Sequence, residues 1–185
     1  MRKIGFAAIA IAAFVLISFR ISNIWNVVPE GTTISFELPD EGTKGTLSGL
    51  KATLDFDGND PSGANTNITA TVDLSTFNTG TPKKDEHMKS PDFFDVAKYP
   101  VATFKCSKVE KDISGKNKNA FVAKGTLSMK DSTKNVEIPF TFDQDANGGT
   151  FKGTLSIFSS DYGIMKKSPG GKDKVNIMIT VPVKK

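Results

Sequence analysis

The sequence predicts an all-β domain, an antiparallel sheet with one apolar face to hide. Three observations predict it. Apolar residues recur at every second position through most of the chain, clusters of turn-forming residues separate those runs, and no long helical period occurs outside the N-terminal leader. A length of 185 residues, 38% hydrophobic and 24% charged, suits one globular domain.

The first 23 residues read as a secretory signal peptide, leaving a domain over 24–185. Met1-Arg2-Lys3 is a basic start, Ile4 to Phe19 is uncharged, and Arg20 closes the run. An apolar core of about 16 residues is shorter than the roughly 20 a helix needs to cross a bilayer. No clean small-x-small pattern precedes Asn23, although Ser18 or Ser22 could sit at the cut, so an uncleaved anchor through residues 4–19 is the alternative. No cysteine lies near the run, which excludes a lipoprotein anchor.

The strands follow in order. Ile34, Phe36 and Leu38 alternate with Ser35 and Glu37; Ala52, Leu54 and Phe56 come next, then Ile68, Ala70, Val72 and Leu74. Later sets are Ala102, Phe104 and Cys106; Phe121, Ala123, Leu127 and Met129; and Val136, Ile138, Phe140 and Phe142. Phe151, Leu155 and Ile157 lead to a last run from Val175 to Val183. Each set places its apolar side chains on one face of a strand. Asp57 to Gly63, Ser114 to Asn119 and Asp145 to Gly149 are loops. Leu47 and Leu50 fall on opposite phases around Gly49, which predicts a bulge or bend. A sandwich or a closed up-and-down barrel would bury the apolar face, and periodicity leaves both open.

Charge and cysteine content narrow the function. Without Arg2, Lys3 and Arg20 the 24 basic residues become 21 lysines against 20 acids, and the domain is near neutral with no arginine. Nucleic-acid binding, which favours a basic footprint and arginine's planar fork, is not expected. Cys106 is the only cysteine, so no internal disulfide forms, and its place in a strand predicts a buried, inert thiol.

One stretch breaks the strand pattern: Asp85-Glu86-His87-Met88-Lys89-Ser90-Pro91-Asp92-Phe93-Phe94-Asp95, ending at Tyr99-Pro100. Thr81-Pro82 and Ser90-Pro91 each offer an N-cap followed by proline at the first helical position. They predict a short helical segment over 81–96, anchored by Phe93 and Phe94 with its charged residues in water. Asn78-Thr79-Gly80, the run from Lys84 to Asp95, Lys98-Tyr99-Pro100 and Phe104 together closely resemble the signature of the YceI-like family, bacterial exported lipid-binding proteins with a lipocalin-like fold. Trp25 with Ile34-Ser35-Phe36, Gly125-Thr126-Leu127 with Thr133-Lys134, and Asp161-Tyr162-Gly163 extend the resemblance over residues 24–183. The chain departs from the pattern at Asp131-Ser132, where the family usually has Gly before Val-Thr-Lys. It departs again at Ser159, where the family usually has a basic residue.

The resemblance implies a lipocalin-like antiparallel up-and-down barrel of about eight strands, with the 81–96 segment beside its mouth. It also implies a polyisoprenoid or other long-chain lipid as ligand, sequestered or carried in the periplasm with no bond made or broken. Expected pocket residues are Phe36, Leu54, Phe56, Val72, Phe93, Phe94, Phe104, Leu127, Phe140, Phe142, Leu155 and Ile157. His87, Asp85 and Tyr162 are the candidates for the mouth and head group. No cofactor and no metal site is expected, because one histidine and one cysteine do not supply a zinc ligand set and the acid clusters lack calcium-loop spacing. Lys83-Lys84 and Lys166-Lys167 either attract an anionic lipid surface transiently or keep a face soluble, and a homodimer is left open. Two other readings compete: an enzyme using His87 with a carboxylate on a lipid-like substrate, and a dry-cored envelope stress or interaction module.

Overall fold

Period two in the sequence becomes period two in burial along ten strand segments. In the computed structural model, which describes residues 23–114, 117–166 and 169–185, these are β1 (Ile24–Val27), β2 (Thr33–Leu38), β3 (Thr43–Leu47), β4 (Lys51–Asp55), β5 (Asn67–Asp73), β6 (Val101–Lys111), β7 (Ala120–Met129), β8 (Ser132–Gln144), β9 (Gly148–Phe158) and β10 (Lys174–Lys184). One helix, α1 (Pro82–Lys89), lies between β5 and β6. The leader, Lys167, and part of the loop between β6 and β7 lie outside the described residues.

All neighbours pair antiparallel, and the sheet closes because β1 bonds β4 on one side and β10 on the other. β2 continues along the edge of β10 that β1 leaves, from Thr33 opposite Thr180 to Glu37 opposite Asn176. β3 and β4 likewise share one position, broken at Gly49, whose φ of 71° is open to glycine and costly for other residues. Ten segments therefore occupy eight positions around a barrel. Closure leaves fewer sheet edges open to another chain. The bend read from Leu47 and Leu50 is this break. A second irregularity, a register shift between Cys106 and Lys108 opposite Gly125, had no sequence signal. A Cβ at Gly125 would lie 2.2 Å from the Lys105 carbonyl oxygen, so glycine lets the two backbones close there. Burial pushes the half-buried Cys106 thiol up, against its hydrogen bonds to the Lys108 and Lys124 carbonyls.

One end of the barrel is stoppered by aromatic rings. Phe56, 1% exposed, meets Phe121, Phe140, Phe142 and Phe151 at centroid distances of 5.1 to 5.8 Å. Phe142 stacks on Phe151 at 4.1 Å and receives the edge of Trp25 at 5.0 Å. Trp25 Nε1 donates to the Phe56 carbonyl at 2.9 Å, which satisfies the one polar atom in the group. Asn23 enters at this same end, where its backbone N–H donates to Asp55 at 2.9 Å.

On the outer face, Glu110 accepts from Lys108 and Lys124, each at 2.8 Å. The Lys108 hydrogen bond, then that of Lys124, holds its carboxyl down to about 2 from an ordinary 4.5. A carboxyl depressed by folding stabilises the fold above its unfolded value and loses that contribution as pH falls toward the folded one. Glu110→Gln is therefore expected to lower stability slightly at neutral pH and to match the parent protein once pH reaches about 2. Urea titrations of both proteins across that range check it, and added salt should shrink the difference because the pair is exposed.

Candidate functional site

At the other end two long connections, β5 to β6 and β9 to β10, cover a cavity of about 230 Å³ that runs down the barrel axis to the aromatic stopper. This is below the roughly 300–1,000 Å³ of most small-molecule pockets and suits a slender guest. Its walls come from the inward phases of the strands. Facing alanines help keep it open: Ala52 of β4 pairs with Ala70 of β5, and both line it.

The cover has two pieces. The first is α1 with the turns that follow it. Thr81 and Pro82 start α1 as expected, although no side-chain cap forms and the Thr81 carbonyl accepts from Lys84 and Asp85 instead. Ser90 ends the helix and does not begin a second one. Its hydroxyl and its N–H both donate to the His87 carbonyl, and the chain goes on in turns through a left-handed Asp95. Those turns swing Phe93 and Phe94 onto the cavity, beside Met88. Phe94 packs on Phe77 at 4.5 Å. The second piece is the connection between β9 and β10, a 3-10 turn over Ser159–Tyr162 followed by Ile164 and Met165, which face the cavity.

Lys130, in the tight turn between β7 and β8, straps the two pieces together. Its ammonium donates to the Phe93 carbonyl at 2.6 Å and to the Gly163 carbonyl at 3.2 Å. The next residue, Asp131, accepts from the Tyr99 hydroxyl. Lys130 holds φ at 50°, a left-handed value uncommon outside glycine, asparagine and aspartate.

Most of the residues expected in the pocket line this cavity. Phe36, Leu54 and Val72 do so from one wall, Phe104, Leu127, Leu155 and Ile157 from the others, Phe93 and Phe94 from above, and Phe140 from below. Phe56 and Phe142 do not line it. They point inward as their phase requires, but their positions, just past the end of β4 and late in β8, fall below the cavity floor, inside the stopper. Alternation tells which face a side chain takes and is silent about its height along the axis. The sequence reading also missed Met88 and Met165, which carry no periodic signal, and the small wall residues Ala52 and Ala70.

The three residues expected at the mouth belong to the cover, but none of them lines the cavity. Asp85 accepts from the Thr79 hydroxyl and N–H, both at 2.7 Å, and those bonds, the hydroxyl first, hold its carboxyl below the usual range. It fastens α1 to the preceding loop, as Lys84 fastens it to β3 by donating to Thr43 Oγ1 at 2.6 Å. His87 is exposed in the last turn of α1 and rests on Phe93, ring centroids 4.5 Å apart. Tyr162 is buried in the core, and burial, then the charge of Asp161, pushes its hydroxyl up to about 12. Among the described residues no group of three or more His, Cys, Asp or Glu side chains is placed to hold a metal ion. Nor is any described helix long and apolar enough to cross a membrane.

Comparison with known proteins agrees with this architecture. A family model for the YceI-like domain matches residues 25–183. A UPF0312 protein of Pseudomonas savastanoi pv. phaseolicola is 34% identical over 132 residues, which cover 68% of this chain and 65% of the relative's length. Another, from Azotobacter vinelandii, is 30% identical over 146 residues, covering 74% of this chain and 71% of the relative. Among solved structures, BcnA of Burkholderia cenocepacia superposes with a TM-score of 0.74 at 24% identity, covering 86% of this chain and 100% of that one. A domain from Saccharophagus degradans described as polyisoprenoid-binding gives 0.64 at 14% identity, covering 86% of this chain and 97% of that one. These structural likenesses show the shared fold, and the family match shows the kinship: the chain belongs to the YceI-like family.

Proposed function

We infer that the protein binds a long apolar amphiphile, a polyisoprenoid lipid or quinone, in the barrel cavity, and carries or sequesters it after export to the periplasm. The observation that supports this reading most is the cavity itself: enclosed by strands, stoppered at one end, and walled by hydrocarbon along its length. A neighbour of the same fold that is described as polyisoprenoid-binding points the same way. The energetics agree. Each buried methylene contributes roughly 0.8 kcal/mol, so an isoprene unit contributes on the order of 3–4 kcal/mol at best, and three or four units together contribute about 9–16 kcal/mol, enough to offset most of the roughly 4–15 kcal/mol range for immobilising a ligand. Val101 and Phe158, 46% and 44% exposed at the covered end, supply an apolar rim for brief contact with a membrane surface during exchange.

The test is uptake. Protein purified from its own host should carry a lipid mass in native mass spectrometry, and delipidated protein should take up an isoprenoid quinone saturably. Empty protein that takes up none would defeat the reading. His87→Ala is expected to bind the quinone normally, with at most a modest loss of stability from the Phe93 contact. A variant that still binds but loses a measurable turnover would establish an enzyme instead.

A further inference from the structure

One strand residue on the cavity wall has no side chain. Gly153 in β9 is the only glycine that lines the cavity among the described residues. Large side chains that also line the cavity frame it on four sides. Phe151 and Leu155 stand two residues away along β9, Phe140 pairs with it from β8, and Ile179 pairs with it from β10. Phe140 and Phe151 belong to the aromatic stopper as well, so the notch between the four lies at the cavity floor.

The backbone does not call for glycine at this place. Gly153 is not among the glycines of positive φ, and its pairing with β10 runs through without a register shift. An added Cβ would meet the Pro139 carbonyl oxygen and Phe140 Cβ at 3.5 Å, which is ordinary contact. It would meet Ile138 Cγ2 at 3.3 Å, a tight contact with the end of a side chain. At Gly125, by contrast, the same atom would strike the Lys105 carbonyl oxygen at 2.2 Å. Glycine inside a strand costs stability relative to alanine, and where no bulge needs it, close approach of another group is a common reason for it. The space at Gly153 opens on the cavity, so the group that approaches is the guest. Its tail is the part that reaches the floor. A head group carried there would lose its water for nothing, because the polar atom of the stopper, Trp25 Nε1, already donates to the Phe56 carbonyl.

We propose that Gly153 seats the tail end of the bound chain and sets how long a chain the cavity takes. This rests on the lipid-binding reading above and adds to it the residue that determines chain length. The experiment titrates straight-chain alcohols, from butanol to hexadecanol, into the delipidated parent protein and its variants. In the parent, affinity is expected to rise with each carbon until the tail meets the floor, and then to level off. Gly153→Leu is expected to level off about three carbons sooner and to bind the longer alcohols about fifty-fold more weakly, the worth of roughly three buried methylenes. Butanol should bind both proteins alike. Gly153→Ala should level off about one carbon sooner, with a loss of roughly fourfold, and it keeps the test alive if Gly153→Leu does not fold. Thr154→Leu, at an exposed position of the same strand, should match the parent at every length. When empty, Gly153→Ala should unfold no more easily than the parent.

The proposal is overturned if Gly153→Leu levels off at the parent's length, or if it weakens butanol as much as the long alcohols. It is also overturned if Gly153→Ala destabilises the empty protein, since the glycine would then serve the packing of β9 against β8. A parent affinity that climbs through the whole series without levelling would overturn it too, because the floor would not stop the chain. Failure of every alcohol and of an isoprenoid quinone to bind the parent protein would instead defeat the lipid-binding reading itself.

Discussion

Replacing Phe56 with alanine is expected to lower the free energy of unfolding by about 3–5 kcal/mol. No other ring in the stopper touches as many partners: Phe56 meets four phenylalanines from β7, β8 and β9 and is 1% exposed. Removing it leaves a hole among side chains already held by their own strands, so collapse into the space is partial. Its carbonyl also anchors Trp25, and a shift of the backbone there would loosen that hydrogen bond. For a chain of this size the loss corresponds to a drop of roughly 6–20 °C in melting temperature. Denaturant titration and a thermal scan measure it, and a loss below about 1 kcal/mol, at the low end for core truncations, would show that the stopper is not the keystone of the base. Phe56→Leu keeps most of the volume and should lose much less.

The second large effect concerns the cavity. Ala52→Phe places a ring in space that the Ala52–Ala70 pair leaves open, and is expected to abolish most lipid binding while the barrel stays folded. A ring that displaces about three methylenes of the ligand removes ~2.4 kcal/mol of burial, roughly fifty-fold in affinity. Because the new side chain fills a void, the empty protein should be as stable as the parent or more so. The same titration with an isoprenoid quinone and the same thermal scan separate the outcomes. Binding that survives in a folded variant would mean the ligand sits elsewhere, and lost binding in an unfolded variant is distinguished by the scan.

Much of this architecture was legible in the residues, for reasons that also mark where reading stopped. Alternation told the inward face of the long strands, since a slip of one residue would turn Phe104 or Leu127 out to water. The exception is β6 beyond its bulge, where Val109 turns inward on the opposite phase. The opposed phases of Leu47 and Leu50 announced the break at Gly49. The Thr81-Pro82 pair announced the start of α1. Ser90-Pro91 misled, because the Ser90 hydroxyl donates back to the His87 carbonyl and closes α1, where an N-cap would accept from an N–H ahead of it. Closure itself is a long-range event: β1 meeting both β4 and β10 depends on twist summed around the sheet, which no local pattern carries. The strap made by Lys130 was invisible for the same reason, since it joins residues 37 and 33 positions away in sequence. Asp85 and His87 drew attention as charged or titratable groups in an unusual segment, yet fastening a helix and capping a ring explain both.

The barrel is not symmetric end to end, and that bears on how it would meet a bilayer. Asn23, where any leader joins, is pinned to Asp55 at the sealed base. A leader kept in place would tether the vessel by its bottom, with its opening turned away from the sheet of lipid that holds it. Cargo would then pass to or from whatever stands opposite, and only cutting the tether would let the protein roll over and dip into both.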